Sequence, residues 1–214
     1  MKVIVGMATF AGREDACETA VESLANQVDD ILLWDNSTEG AEDLTDNGKF
    51  AGLSMIDEDC YYLTCDDDLL YPEDYVEQML EAIERTNSIV THHGRILTGL
   101  NKNYYTGHES FRCLDDVNIE RRIDVCGTGV TGFKTSAFNP VHLPYSKDKK
   151  MSDLIFSCAA VHHGIDIFVQ PHRKGWIKQL DIDHKTSIYS TEKHKATRQA
   201  EIANEIYSLR YETH

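Results

Sequence analysis

Three consecutive aspartates, Asp66, Asp67 and Asp68, are the residues of this sequence best placed to do chemistry. They follow a short apolar and β-branched run over residues 60–65, which is typical of a buried strand. Carboxylates about 5 Å apart repel by about 3 kcal/mol at an effective dielectric constant near 20, so a partly buried cluster needs a cation. In extended backbone Asp66 and Asp68 point the same way. Such a pair suits Mg²⁺ or Mn²⁺, which favour oxygen ligands and usually share them with phosphates.

The elements around this triplet place it at the carboxyl end of a strand. Pro72 begins a helical pattern after it, with acidic residues in the first turn. Earlier in the chain, residues 2–8 and 29–34 predict two strands joined by a helix over about residues 14–26, and strands joined in this way are parallel neighbours. Open α/β sheets bind ligands at the carboxyl ends of their strands. We therefore expect the triplet and Asp35, which follows the second strand, at one binding edge.

The second half of the chain gives weaker patterns. Residues 88–97 predict one strand, on which His92 and His93 face opposite sides, so that at most one of them points into a given site. Residues 99–120 form a long irregular segment rich in Asn, Tyr, Gly and His, and loops of that length are usually functional or mobile. A short strand is expected over residues 123–125.

Two later features could contribute to a site. Gly127 and Gly129 belong to a glycine-rich segment that lets backbone approach another group closely, although a bulged strand would have the same pattern. Ser152 is expected to cap a helix that carries Asp153 in its first turn. An acid at that position ordinarily compensates the helix dipole. Residues 192–211 predict a mostly polar final helix.

Composition limits the possible partners. The chain has 214 residues, of which 41% are hydrophobic and 27% charged, so it can bury a core. Its formal net charge of -15 argues against bulk binding to nucleic acid or to an anionic membrane. No apolar run approaches the roughly 20 residues that span a bilayer, and no transmembrane segment is expected. Six cysteines without a Cys-x-x-Cys pair indicate buried free thiols and a cytoplasmic protein.

Four stretches of the sequence, in this order, resemble the small GT-A glycosyltransferases, in particular the inverting glycosyltransferase family 2. The stretches are residues 5–10 with Arg13, residues 32–37, residues 63–68 followed by Tyr71 and Pro72, and residues 151–156. The resemblance covers residues 1–185. It implies a single α/β domain of the GT-A type, with a mostly parallel central sheet flanked by helices. Residues 186–214 would be a C-terminal helical extension packed on or near that domain.

The resemblance also implies a role for each site residue. The donor would be a nucleotide diphosphate sugar, UDP-linked, and the acceptor a glycan or another hydroxyl compound, with a bacterial surface glycan as the first expectation. The nucleotide would contact Thr9, Phe10, Arg13, Asp35, Asp66, Asp67 and Lys185. Mn²⁺ or Mg²⁺ would bind Asp68, Asp66 and His184, and the donor sugar would lie beside Gly127 and Gly129. Asp153 would be the catalytic base of a transfer with inversion, and the final helix could mediate a homodimer.

Two other functions fit the same residues. A nucleotidyltransferase that makes activated sugars would also use acids at a strand end, although that class usually has a glycine-rich basic loop after its first strand, where only Gly12 and Arg13 stand here. A non-catalytic domain that binds sugar or metal could have the same scaffold. The products released from a nucleotide sugar or a nucleoside triphosphate would distinguish the three.

Overall fold

The structure, a computed structural model, describes residues 1–100, 102–143, 148–182 and 197–212. The strands are β1 (Lys2–Thr9), β2 (Asp30–Asp35), β3 (Cys60–Asp66), β4 (Leu69–Leu70), β5 (Ile89–Thr91), β6 (Gly94–Leu97), β7 (His108–Phe111), β8 (Arg121–Ile123), β9 (Val125–Cys126), β10 (Val130–Lys134), β11 (Ile167–Val169) and β12 (Lys178–Gln179). The helices are α1 (Glu14–Ala25), α2 (Tyr75–Thr86), α3 (Ser152–His162), α4 (Thr197–Tyr211) and a 3-10 helix (Thr45–Met55).

A seven-stranded sheet forms the centre of the fold, in the order β2-β1-β3-β10-β5-β11-β8. Strand β1 is parallel to β2 and β3, and β11 is parallel to β5. Strand β10 is antiparallel to both β3 and β5, so β5 runs in the same direction as β3. The sheet is therefore mostly parallel and flanked by helices, which confirms the predicted α/β class.

The register of the first three strands brings their carboxyl ends together, as the first β-α-β unit predicts. Thr9 lies opposite Asp35 in the pairing of β1 with β2. Ala8 lies opposite Asp66 in the pairing of β1 with β3. The acidic triplet and the turn after β1 consequently share one edge of the sheet.

Helices α3 and α4 pack against each other beside this edge. Ile202 and Ile206 of α4 share an apolar cluster with Leu154 of α3 and with Tyr104 from the segment before β7. The apolar residues of α4 are few, and they face α3 because the rest of the helix is polar. Helix α4 thereby fixes the outer side of α3.

The strand predicted over residues 88–97 is instead two strands in different sheets. Strand β5 belongs to the central sheet, whereas β6 pairs with β7 and β9 in a small three-stranded sheet. The interruption follows Thr91, whose hydroxyl accepts the backbone N–H of His93 at 3.2 Å in place of a ladder hydrogen bond.

The short strand predicted over residues 123–125 is also broken, at Asp124. That residue separates β8 from β9, and its carboxylate accepts the backbone N–H of Leu97 at 2.7 Å. Ser152 is the first residue of α3 and Met151 occupies the capping position, one residue earlier than predicted.

Within the described ranges no helix is long and apolar enough to cross a membrane. All six cysteines are free, which confirms the prediction of unpaired thiols.

Candidate functional site

A cavity of about 960 Å³ opens at the shared carboxyl edge of β1 and β3. Most of the residues predicted from the sequence to form a site line this cavity: Phe10, Arg13, Asp66, Asp67, Asp68, Gly127, Gly129 and Asp153. The fold therefore brings together residues that lie more than a hundred positions apart in the chain.

Asp67 fastens the turn after β1 to the end of β3. Its Oδ2 accepts the hydroxyl of Thr9 at 2.8 Å, and its Oδ1 accepts Nη1 of Arg13 at 2.6 Å. The carboxylate is almost fully buried. Burial raises the pKa of Asp67, and the charge of Arg13 opposes that shift. Both oxygens of Asp67 thus have protein partners, and they hold Arg13 at the cavity wall.

Lys49, on the 3-10 helix, is the cation that faces Asp66. The two form an ion pair in which the lysine side chain is 4% exposed and the aspartate 43% exposed. Burial by itself would lower the pKa of Lys49, but attraction by Asp66 and then by Asp46 outweighs it and raises the pKa. Lys49 is not among the residues predicted to form a site, because residues 37–50 have the composition of a polar loop.

Asp68 is the least compensated acid of the triplet. Its Oδ2 lies 3.5 Å from Nη1 of Arg13, a weaker contact than the one that Asp67 makes. Burial and the nearby charge of Asp66 raise the pKa of Asp68 to about 6. The strand ends at Asp66, so the strict alternation of side chains expected for extended backbone does not continue, and Arg13 reaches both Asp67 and Asp68.

Asp66 and Asp68 fit a divalent cation. Both offer carboxylate oxygens, the ligands that Mg²⁺ and Mn²⁺ prefer. Burial first, and then the charge of Asp66, disfavour the charged form of Asp68, and a cation bound beside Asp68 would oppose both effects. His184 and Lys185, predicted as a metal ligand and a phosphate contact, lie outside the described residues.

Asp153 lies in the first turn of α3 and is held from one side. Its Oδ1 accepts both the backbone N–H and the hydroxyl of Thr128, each at 2.8 Å. The preceding Ser152 donates its backbone N–H and its hydroxyl to Asp46, at 3.1 and 2.6 Å. These bonds join the start of α3 to the 3-10 helix and to the segment between β9 and β10.

The two glycines predicted to lie beside a donor sugar are also required by protein packing. A Cβ atom at position 129 would overlap the carboxylate of Asp66. A Cβ atom at position 127 would lie 2.9 Å from the side chain of His93. Gly127 and Gly129 therefore allow Asp66 and His93 to approach the backbone between β9 and β10.

Thr9 and Asp35 do not line the cavity themselves, among the residues described. Thr9 supports Asp67, and Asp35 accepts the backbone N–H of Ser37 at 2.8 Å. Hydrogen bonds from Ser37 lower the pKa of Asp35. The neighbours Asn36 and Ser37 do line the cavity, so the end of β2 contributes to the wall.

A second group of cavity residues not predicted from the sequence surrounds Arg95 of β6. The guanidinium carbon lies 4.5 Å from the ring centre of Tyr104 and 5.9 Å from that of Tyr105, and all three residues line the cavity. His93 also lines it, whereas His92 is buried against His172 and Trp176. The expectation that only one of the two histidines can face a given site is confirmed.

Comparison with known proteins supports the fold. No protein-family model and no curated protein matches the chain. Among solved structures, A197 from STIV is 13% identical over 86% of this chain and 87% of its own, with a TM-score of 0.50. The inositol-1-phosphate CTP transferase from T. maritima is 15% identical over 93% of this chain and 75% of its own, with a TM-score of 0.41. The chain has the architecture of a single α/β domain of the GT-A type.

Proposed function

We propose that this protein is a metal-dependent glycosyltransferase. It would move a sugar from a UDP-linked donor to an acceptor hydroxyl, with inversion of the anomeric configuration. One observation carries the proposal. Asp68, the least compensated acid of the triplet, and its neighbour Asp66 line the same cavity as Asp153, and Gly129 and Thr128 connect Asp66 to Asp153.

The donor side of the cavity is assigned to the end of β3 and the turn after β1. Arg13 is fixed by Asp67 and stacks near Phe10, with its guanidinium 5.4 Å from that ring. Phe10 and Arg13 would bound the nucleotide. Asp35, whose neighbours Asn36 and Ser37 line the cavity, would accept a hydrogen bond from the base at the cavity rim. Asp66 and Asp68 would hold Mn²⁺ or Mg²⁺, which would offset the charge that builds on the departing diphosphate.

Asp153 is assigned the transfer of the proton. Its Oδ1 is occupied by Thr128, and no described residue donates to its Oδ2. That oxygen would accept the proton of the acceptor hydroxyl, while the hydroxyl oxygen attacks the anomeric carbon from the side opposite the diphosphate, which departs. Attack from that side inverts the anomeric configuration. Gly127 and Gly129 would leave room for the donor sugar beside the backbone.

Product analysis tests this proposal. The purified protein is incubated with Mn²⁺ and a panel of nucleotide sugars, and we expect slow release of a nucleoside diphosphate from one of them. Asp68→Asn should abolish the release, whereas Asp57→Asn, which changes an exposed carboxylate, should leave it unchanged.

Other products would contradict the proposal. Release of pyrophosphate from a nucleoside triphosphate and a sugar phosphate would identify a nucleotidyltransferase, which would use the same acids at the end of β3. Binding of a nucleotide sugar without turnover, with or without an acceptor, would identify a non-catalytic binding domain.

A further inference from the structure

The cations that line the cavity differ in whether an acidic side chain among the described residues pairs with them. Arg13 and Lys49 have aspartate partners, at Asp67 and Asp66 respectively. Arg95 lines the same cavity and makes no ion pair with any described residue. In a chain with a net charge of -15, an arginine without a counter-charge at a ligand cavity requires an explanation.

Arg95 contacts aromatic rings through its guanidinium group. Its guanidinium lies over the ring of Tyr104, and its Nη1 atom is buried without a hydrogen-bond acceptor among the described residues. Burial, and then the charge of Arg95, lower the pKa of His93 to about 4. The pKa of His108 is lowered by the same two causes in the same order. Both histidines therefore lie close enough to Arg95 to be affected by its positive charge, and His93 is neutral at pH 7.

A cation without a counter-charge costs free energy when it is partly buried, and an anionic ligand bound beside Arg95 would offset that cost. A guanidinium binds phosphate or carboxylate through two parallel hydrogen bonds. The faces of Tyr104 and Tyr105 would meanwhile pack against the less polar side of a sugar ring. The group is thus suited to a sugar that carries an oxyanion.

The group lies on the Asp153 side of the cavity. The charge of Asp153 contributes to the raised pKa of Tyr104, after burial, which is the largest cause. Tyr104 shares an apolar cluster with Leu154, the residue that follows Asp153. Tyr105 accepts the side-chain amide of Gln199 at 3.2 Å, which ties the group to α4. The acids of β3 and Arg13 form a different part of the wall, where the donor is assigned.

We propose that Arg95, Tyr104 and Tyr105 form a subsite for the acceptor, and that the acceptor carries a phosphate or a carboxylate. The division of the cavity into a donor side and an acceptor side rests on the proposed function. The anionic subsite itself rests on the unpaired Arg95.

Binding of small charged sugars tests the subsite. Glucose 6-phosphate, glucuronate and neutral glucose are titrated into the wild-type protein by calorimetry, in a buffer without phosphate. We expect at least one of the two charged sugars to bind at least tenfold more tightly than glucose. The stronger of the two identifies phosphate or carboxylate as the preferred anion. Equal binding of all three sugars, or no binding of either charged sugar at millimolar concentration, would overturn the proposal.

Two variants locate the binding at Arg95. Arg95→Gln should weaken binding of the charged sugar at least tenfold, whereas Arg122→Gln, which alters an exposed arginine paired with Asp166, should not change it. If Arg95→Gln does not fold, Arg95→Lys replaces it in the test. That variant keeps the positive charge but loses the planar guanidinium, and it should weaken the same binding severalfold. Unchanged affinity in a folded variant would overturn the assignment.

Binding of uridine diphosphate with Mn²⁺ is measured on the same proteins. It should be the same in wild type and Arg95→Gln, because Arg95 is assigned to the acceptor side. A loss of this binding in Arg95→Gln would place the arginine at the donor instead and overturn the acceptor assignment. Absence of this binding in the wild-type protein would count against the donor proposal, while the sugar titrations would still report on the anionic subsite.

Discussion

The two charged regions of the cavity differ in how their charges are balanced. At the end of β3, each of Asp66 and Asp67 has a cation supplied by the protein, and only Asp68 is left with a weak contact. At β6, Arg95 has aromatic neighbours and no carboxylate among the described residues. An acidic side chain that is paired with a cation of the protein fixes the geometry of the cavity wall. A charged side chain without such a partner can interact with a ligand of opposite charge. We therefore propose a cation as the ligand of the first region and an anion as the ligand of the second.

Removal of the buried lysine should have the largest effect on stability. Lys49→Met leaves Asp66 and Asp46 without their shared cation, and we expect the free energy of unfolding to fall by about 3–5 kcal/mol. Urea unfolding with a chelator present measures the change. The control is Lys149→Met, which removes an exposed lysine 4.0 Å from Asp43 and should cost at most about 1 kcal/mol. Similar losses of stability in the two variants would show that the protein does not need the charge of Lys49 to offset those of Asp66 and Asp46.

The variant Asp153→Asn separates chemistry from binding. It should lower the rate of sugar transfer at least about a hundredfold, the lower range for a general base, because the amide cannot accept the proton. Calorimetry with uridine diphosphate and Mn²⁺ should give the wild-type affinity, since the donor is assigned to the other region. Wild-type turnover in this variant would place the base elsewhere.

The glycine beside Asp66 tests how closely the acidic region is packed. In Gly129→Ala the new methyl group must displace the Asp66 carboxylate, and overpacking of this kind costs about 1–3 kcal/mol. We expect affinity for uridine diphosphate with Mn²⁺ to fall about tenfold. Gly127→Ala is the matched control, because its methyl group meets His93 rather than an acid. Equal losses in the two variants would mean that Asp66 is not specifically involved.

The buried His92 predicts a smaller effect, on the pH dependence of stability. Burial, and then the charge of His172, lower the pKa of His92 to about 3, compared with about 6.5 for an exposed histidine. The unfolded chain therefore binds the proton more readily, and stability is lost as the pH falls below about 6.5, by up to about 1.4 kcal/mol per pH unit. His92→Gln should flatten this slope in unfolding experiments between pH 6 and 4.5. The exposed His142→Gln should retain it, and an unchanged slope in His92→Gln would contradict the assignment.

The sequence predicts those parts of the site that depend on local patterns. The apolar run before Asp66 and the first β-α-β unit fix the edge of the sheet, and the capped helix pattern places Asp153 correctly on α3. The domain boundary at residue 185 and the roles of the individual site residues stay predictions.

The residues that the sequence did not reveal act through distant contacts. Lys49 is recognisable only once Tyr62, whose hydroxyl donates to the Lys49 carbonyl oxygen at 2.8 Å, holds the 3-10 helix against the sheet. Arg95 is placed beside Tyr104 by the pairing of β6 with β7 and β9, and the expected single strand hid that pairing. Neither contact is marked in the sequence by a periodicity or a short motif.

A crystal soaked with Mn²⁺ and uridine diphosphate tests most directly whether Asp66 and Asp68 bind a cation. The ion, located by its anomalous signal, should lie between Asp66 and Asp68, with the diphosphate beside it and the nucleoside toward Phe10 and Arg13. An ion and nucleotide bound elsewhere on the protein, or bound equally well by crystals of Asp68→Asn, would contradict this account.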